Sequence, residues 1–423
     1  MEPRSTKGVS RLLTLPPEMV SNLLHFCDEQ SLKNLSSTCK ILHGTIALSL
    51  KYRRIDISAH RIGRFEYTHG NGTVTHYWSD QYPPRFDVEV LARKQHGFLE
   101  EVLDRPYLGS LVHDFTWTIR SYCDPDGYWP GRMTTDAVYP DTHMWESFQK
   151  MTNVTKLDLG CYQETWDWVY LRQPPPVLFP SVTDLRLSGV MYRQIVETIF
   201  DSITLSNLEH LSLDNLQDPG QSGDEYPNRQ SYFGTALWDP VALPQIIKET
   251  KWPGTMRGIL PLIQDRCSTL RSLSYRKPGS WAELQELGPI PYQFQDEECC
   301  REVASFIGSV SGTLEAFTFE QGVSEPQLSW VQSGEISNLW IYGFMARKMK
   351  PMDQRFIDHV LPVLMNTTWL SLRELNIIGV GSWQGEPTMD APTKARLQKH
   401  LGSEVSVHYQ DVSQRPCENF EMS

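Results

Sequence analysis

One short pattern recurs along most of the chain: an apolar residue, followed three and five positions later by two more. Phrases such as VTKLDL, VTDLRL and LEHLSL show the alternation of apolar and polar residues that is typical of a half-buried strand. Each copy predicts a short strand with two inward side chains, so that the strands stack over one shared core. The eight copies are Val112-Phe115-Trp117, Val154-Leu157-Leu159, Val182-Leu185-Leu187, Leu208-Leu211-Leu213, Leu270-Leu273-Tyr275, Leu314-Phe317-Phe319, Ile336-Leu339-Ile341 and Leu372-Leu375-Ile377.

Segments with the apolar spacing of a helix precede most of these triplets, and the alternation predicts an α/β fold. A final helix at 393–401 and a strand at 405–409 are expected to close the array. The other predicted helices are 144–151, 192–203, 256–267, 298–309 and 354–365.

The triplets resemble the strand part of leucine-rich repeats. Their first residues are 42, 28, 26, 62, 44, 22 and 36 positions apart, and only three of these seven intervals match the usual period of about 20–29 residues. The longer intervals contain insertions rich in Pro, Gly and aromatic residues, at 121–145, 217–240 and 275–295. The resemblance implies a horseshoe-shaped α/β solenoid with long loop insertions over residues 106–410, followed by a flexible tail at 411–423. An α/β domain without repeats is the alternative.

Near the start of the chain, residues 12–50 place apolar residues on helical faces three times, with short polar breaks between them. Leu15, Pro16 and Pro17 begin the first helix, because proline is tolerated in the first helical turn. Glu18 then complements the positive end of that helix. The segment therefore predicts a compact module of three helices.

At these residues the chain resembles the F-box proteins, whose pattern is Leu-Pro-x-Glu, a hydrophobic helix ending near Asp, then Leu-x-x-Leu and a Cys-Lys pair. Cys27 and Leu42 depart from the pattern, which usually has Leu and often has Trp there, but both remain apolar. The match consists of Leu15-Pro16-Pro17-Glu18, Leu23-Leu24, Asp28, Leu32, Leu35 and Cys39-Lys40. The resemblance implies that residues 11–57 form an F-box domain, which binds the Skp adaptor and through it a cullin. The implied adaptor-binding residues are Leu15, Pro16, Pro17, Glu18, Met19, Leu23, Leu24, Leu32, Leu35 and Cys39. A three-helix cap on a larger domain is the alternative.

Residues 58–105 are predicted to link the two parts. The stretch around Asn71-Gly72 is rich in turn residues and predicts either loops or a hairpin, and helical spacing resumes from 88 to 103. That helix is expected to end before Pro106.

Charge and cysteine usage restrict the possible partners. The chain has 39 Lys and Arg against 51 Asp and Glu, a net charge of −12, which disfavours nucleic acid. It has no signal peptide pattern and no apolar run long enough to span a membrane. The eight scattered cysteines have neither disulfide nor metal-ligand spacing, so the protein is expected in the cytoplasm or nucleus with reduced thiols.

The common catalytic signatures, such as the phosphate-binding loop, the dinucleotide fingerprint, His-Glu-x-x-His and Gly-x-Ser-x-Gly, are absent from the sequence. The expectation is a non-catalytic subunit without cofactor or metal. The adjacent Cys299 and Cys300 invite a redox interpretation. Since neighbouring helix residues point in different directions, one buried and one exposed thiol is expected instead.

Between the two inward residues of each triplet stands one that should face away from the core, on the concave side. These outward residues form a mixed polar row with one large aromatic, which favours a protein or peptide ligand: Thr116, Asp158, Arg186, Ser212, Ser274, Thr318, Trp340 and Asn376. Tryptophans in the insertions either pack over the ends of the repeats or belong to a recognition surface. The predicted target contacts are Arg186, Trp340, Trp238, Asp158 and Asn376.

Taken together, an F-box head before degenerate leucine-rich repeats resembles the F-box/leucine-rich-repeat proteins of fungal type. The resemblance implies the substrate-recognition subunit of a Skp-cullin-F-box ubiquitin ligase, in which other subunits perform the catalysis. A Skp-bound scaffold acting outside a ligase is the alternative, and an enzyme using the 121–295 insertions is a third hypothesis.

Overall fold

The computed structural model describes residues 19, 27, 29–37, 40–58, 65–68, 74–77, 88–120, 141–162, 174–218, 254–277, 289–321, 352–380 and 389–410. The first two helices whose bounds lie in the described residues are α1 (Glu29–Ser36) and α2 (Lys40–Arg53), and they pack against each other. Strand β1 (Arg54–Ile57) follows α2 directly.

The segment between β1 and Pro106 contains the predicted hairpin and the predicted helix. Strands β2 (Phe65–Thr68) and β3 (Val74–Tyr77) pair antiparallel, so of the two predicted alternatives the hairpin is the one that the structure shows. Helix α3 (Val88–Asp104) confirms the helix expected from 88 to 103. It stops before the proline, whose ring disfavours helical backbone at the residue preceding it.

Beyond this helix, strands alternate with helical segments as far as residue 410. The elements are a 3-10 helix (Pro106–Leu111), β4 (Asp114–Arg120), α4 (Asp141–Gln149), β5 (Lys156–Tyr162), β6 (Asp184–Val190), α5 (Arg193–Ser202), a 3-10 turn (Leu205–Asn207), β7 (His210–Asp218), β8 (Gly254–Thr255), α6 (Leu260–Ile263), β9 (Ser272–Lys277), α7 (Pro289–Ser309), β10 (Ala316–Gln321), α8 (Met352–Arg355), a π turn (Phe356–Val360), α9 (Leu361–Asn366), β11 (Glu374–Ile378), α10 (Ala391–Leu401) and β12 (Ser406–Gln410). None of the helices in these ranges has the combination of length and apolar character that crossing a bilayer requires.

Nine strands form one parallel sheet in chain order, β1-β4-β5-β6-β7-β9-β10-β11-β12, and β8 adds an antiparallel pairing to β7. The α/β class is therefore confirmed. In seven of the eight triplets the second and third residues lie within these strands, and the first residue precedes the strand by two positions. Strand β12 is the predicted closing strand. The triplet Ile336-Leu339-Ile341 lies outside the described residues.

The inward residues of the triplets align across the sheet. Leu157 lies opposite Leu185, which is followed by Leu211 and Leu273 at the same register position. Two continuous rows of side chains, each at most 6% exposed, form the centre of the core: Phe115, Leu157, Leu185, Leu211, Leu273, Phe317 and Leu375, and then Trp117, Leu159, Leu187, Leu213, Tyr275, Phe319 and Ile377.

A hydrogen-bond pattern repeats where the chain enters each strand. The carbonyl oxygen of Thr183 accepts from the backbone N–H groups of Glu209 and His210, at 2.8 and 3.1 Å. The same two-donor arrangement occurs at the carbonyls of His113, Thr155, Glu209, Arg271 and Glu315. Successive strand pairs thus share one backbone geometry, although the intervals between them in the sequence differ widely.

Three predicted helices differ from the observed ones. The helix predicted at 298–309 begins nine residues earlier, at Pro289. The segment predicted as a helix at 256–267 contains only the single turn α6, because Gly258 has a φ of +72° and the Met256 N–H donates to Leu216 on β7 instead. The helix predicted at 354–365 is interrupted by the π turn. Pro362 follows this turn and has no N–H, so one regular helical hydrogen bond cannot form there.

Candidate binding surfaces

The face of the sheet opposite the core carries a polar row that crosses all nine parallel strands. We call this row, together with the rows two residues before and after it, the polar strand face. Its central row consists of Asp56, Thr116, Asp158, Arg186, Ser212, Ser274, Thr318, Asn376 and His408. Seven of the eight predicted outward residues are therefore neighbours in space. Trp340, like Trp238, lies outside the described residues.

Arg186 is part of a chain of opposite charges across this face, which we call the charge ladder. Its Nη1 lies 3.3 Å from Asp158 Oδ2, and its Nη2 contacts Asp214. Arg276 continues the ladder, with Nη1 3.0 Å from Asp214 Oδ1 and Nε 3.3 Å from Glu320 Oε1. The ladder therefore links five neighbouring strands, from β5 to β10.

Two predicted target contacts, Arg186 and Asp158, thus bind each other. The Asp158 side chain is 8% exposed and that of Arg186 is 32% exposed. Asp158 therefore contributes mainly to the internal ion pair, whereas part of the Arg186 side chain remains accessible to a ligand. The sequence did not single out Asp214, Arg276 and Glu320, although each stands two residues beyond a predicted outward residue.

Asn376, the third described target contact, is tied to its neighbours as well. Its Nδ2 donates to Thr318 Oγ1 at 3.2 Å and to Glu374 Oε1 at 2.8 Å. Its half-buried side chain still reaches the surface. Asn376 therefore orients Glu374, which is exposed, along the same strand.

Exposure varies along the strands of the polar strand face. Lys156, His210 and Glu374, all near the starts of their strands, are exposed, whereas Thr118 and Glu320 further along are buried. The most exposed part of this face is therefore the first half of the strands.

Three of the predicted adaptor-binding residues lie in the described part of the chain, Leu32 and Leu35 on α1 and Met19 before it. Met19 is 51% exposed, Leu35 in α1 is half-buried, and Leu32 is 1% exposed. Leu32 therefore packs inside the chain rather than standing on an open face. Leu15, Pro16, Pro17, Glu18, Leu23, Leu24 and Cys39 lie outside the described residues.

Helix α2 is joined to the sheet without an intervening linker. The Arg53 carbonyl accepts from the His113 N–H at 2.9 Å, and Arg54 Nε lies 2.8 Å from Asp114 Oδ2 on β4. Tyr52, at the end of α2, is 1% exposed within the main core. Strand β1 lies inside the predicted F-box range 11–57, and it is also the first strand of the sheet. The predicted F-box range and the sheet therefore overlap at β1.

The cysteine pair differs from its prediction, because both Cys299 and Cys300 are buried, at 1% and 0% exposure. Helix α7 contacts β8, α6 and the π turn in addition to the core. The side chains of Cys299 and Cys300 point in different directions from this helix, and both are covered by other parts of the protein. Burial raises the pKa of the Cys300 thiol to about 12. A thiol that remains protonated is a poor nucleophile, and the expected exposed thiol is absent from this pair.

Glu302, also on α7, is a titratable group that the sequence did not single out. Burial raises its pKa to about 7. Its Oε1 accepts the backbone N–H of Gly258 at 2.6 Å, and it lines a small cavity with Thr255 and Tyr275. This carboxyl therefore fixes the segment after β8 to the helix.

No protein-family model and no curated protein matches the chain. The described residues provide two N-terminal helices, a parallel sheet with a recurring backbone hydrogen-bond pattern, and a polar face that crosses nine strands.

Proposed function

We propose that the chain is the substrate-recognition subunit of a Skp-cullin-F-box ubiquitin ligase. Residues 12–50 would bind the Skp adaptor, and the polar strand face would bind the target protein. The observation that carries the proposal is that helices with the F-box pattern lead directly into a repeated parallel sheet with a continuous polar row. The repeated backbone geometry at the strand entrances supports assigning this sheet to a leucine-rich-repeat-like solenoid.

The proposed role is one of proximity. A target held on the sheet would be placed at a fixed distance from the ubiquitin carrier, which raises the effective concentration of its lysines. The join between α2 and β1 supports this role, because Tyr52 is buried in the main core and Arg53 and Arg54 bond to the next strand unit. A head attached in this way would hold the target in one orientation.

Coprecipitation with the Skp adaptor and cullin tests the proposal. The double variant Leu15→Asp with Pro16→Ala should lose the adaptor, because an apolar binding face cannot accept an unpaired charge without a large cost. Leu370→Asp is the matched control, since Leu370 is 77% exposed near β11 and lies far from residues 12–50 in the sequence. It should keep the adaptor.

Circular dichroism of both variants should match the unaltered protein. Adaptor binding that survives the double substitution would contradict the proposal. Recovery of the adaptor without cullin would favour the alternative of a scaffold outside a ligase.

A further inference from the structure

The polar strand face carries more acidic than basic side chains. Within the described strands it has seven acidic and four basic residues, a surplus of three negative charges. The acidic residues are Asp56, Asp114, Asp158, Asp184, Asp214, Glu320 and Glu374, and the basic residues are Arg54, Lys156, Arg186 and Arg276.

Each of the four basic residues already has an acidic partner on a neighbouring strand. Arg54 lies 2.8 Å from Asp114, and Lys156 lies 3.6 Å from Asp184. Arg186 and Arg276 are held within the charge ladder described above. An acidic ligand would have to displace one of these pairs, whereas a basic ligand would meet the surplus of acid.

Ser188 provides a second observation on the same face. It lies opposite Asp214 of the charge ladder, is 6% exposed, and its Oγ has no hydrogen-bond partner among the described groups. A buried hydroxyl without a partner costs free energy, which an added donor would recover. The amide, ammonium or guanidinium groups of a basic peptide are donors of this kind.

We infer that the polar strand face binds a segment of the target that carries lysine or arginine side chains, an inference that rests on the proposed function. Asp56, Asp184 and Glu374 are its most exposed acidic groups, and the last two lie at positions separated by three intervening strands. Nine strands spaced by about 4.8 Å span about 38 Å, which an extended peptide of about twelve residues would cross.

Fluorescence anisotropy with the full chain tests the inference. The probe is a labelled peptide of about twelve residues with alternating lysine and glycine, matched to the span above. The double variant Asp184→Lys with Glu374→Lys should bind this probe at least about tenfold more weakly, because two attractive charges become repulsive. Glu146→Lys with Asp201→Lys is the matched control: it changes the net charge equally on exposed helix positions of α4 and α5, and its affinity should stay within about twofold.

Equal weakening in the two double variants would overturn the inference, because it would show attraction by net charge alone. Absence of binding to the unaltered protein, or equal affinity for a matching glutamate-glycine peptide, would overturn it as well. Adaptor binding is measured on the same proteins, and both charge variants should retain it. Failure of the unaltered protein to bind the adaptor would contradict the proposed function but not the peptide result, so the two failures are distinguishable.

Discussion

Lys277 of β9 and Asp296 of α7 form an ion pair with 2.5 Å between Nζ and Oδ1, and neither side chain exposes any surface. Arg355 of α8 contacts the other carboxylate oxygen. Burial alone would raise the pKa of Asp296, but the charges of Lys277 and Arg355 outweigh it and hold that pKa below its ordinary value of 3.8. One carboxylate thus connects a strand to two helical elements.

Replacing this carboxylate should destabilise the protein strongly. Asp296→Asn leaves two buried cations against a neutral amide, so the free energy of unfolding should fall by about 3–5 kcal/mol. Asp114→Asn breaks the exposed pair with Arg54 and should cost less than about 1 kcal/mol. Urea denaturation measures both values. Similar small losses in the two variants would show that the buried cations find other partners.

Neighbouring residues on β7 should respond in opposite ways to the same new charge. Leu211 is 2% exposed in the first inward row, so Leu211→Asp buries an unpaired charge and should cost several kcal/mol, comparable to the stability of a whole domain. Ser212 faces the other side, opposite Arg186, so Ser212→Asp places the charge beside a cation and should change stability by less than about 1 kcal/mol. Circular dichroism during heating checks both, and a folded Leu211→Asp protein would contradict the stacked-strand arrangement.

The strands could be predicted because their information is local. Alternation with a period of two fixes which side chains of a segment such as Leu157 to Leu159 turn inward, whatever the neighbouring strand is. The short helix at Leu260–Ile263 could not be predicted, since its length depends on the pairing of Met256 with Leu216 and on the positive φ of Gly258. Tertiary contacts there replace the helical hydrogen bonds that the apolar spacing suggested.

The candidate surface was predictable as a row of residues but not as a set of interactions. Strand alternation placed Arg186 and Asp158 on the outward face. Their ion pair, and the continuation to Arg276, depends on the register of strands that are 28 and 62 residues apart in the sequence. The sequence alone does not give this register, because the insertions between triplets vary in length. The buried pair of Cys299 and Cys300 was missed for a similar reason, since elements distant in sequence cover both sides of α7.

Three glycines should respond differently to an added methyl group. Gly189 on β6 has a φ of +78°, and a Cβ there would collide with the Cys161 carbonyl oxygen, so Gly189→Ala should be strongly destabilising. Gly402 has a φ of +88° and a ψ of 172° but no atom within 4 Å of an added Cβ, so Gly402→Ala should cost about 1–3 kcal/mol from backbone strain alone. Gly97, in helix α3, has open space and ordinary backbone, so Gly97→Ala should stabilise by about 0.5–1 kcal/mol. The expected order of urea midpoints is Gly97→Ala highest, then Gly402→Ala, then Gly189→Ala lowest. A Gly189→Ala midpoint above that of Gly402→Ala would contradict the backbone geometry of β6.

Glu302 should make stability fall as the pH rises. Burial raises the pKa of Glu302 to about 7; the Gly258 N–H and the charge of Arg193 act in the opposite direction, and the charge of Glu298 adds to the rise. The folded protein therefore keeps a proton that the unfolded chain, with an ordinary pKa of 4.5, has already lost. Between pH 4.5 and about 7, unfolding releases this proton, so the contribution of Glu302 to the free energy of unfolding decreases through that window and is constant above it.

The variant Glu302→Gln isolates this contribution. Its amide oxygen can still accept the Gly258 N–H, but it does not titrate, so the decrease in stability between pH 4.5 and about 7 should become shallower than in the unaltered protein. Glu146→Gln is the control, because Glu146 is an exposed carboxyl on α4, is not among the groups that shift the pKa of Glu302, and should leave the slope unchanged. Urea denaturation in steps across this pH range gives the three curves. Parallel curves for the unaltered protein and Glu302→Gln would show that the carboxyl does not carry the proton, whereas a flatter curve for Glu302→Gln alone places the titration at the contact between α7 and the segment after β8.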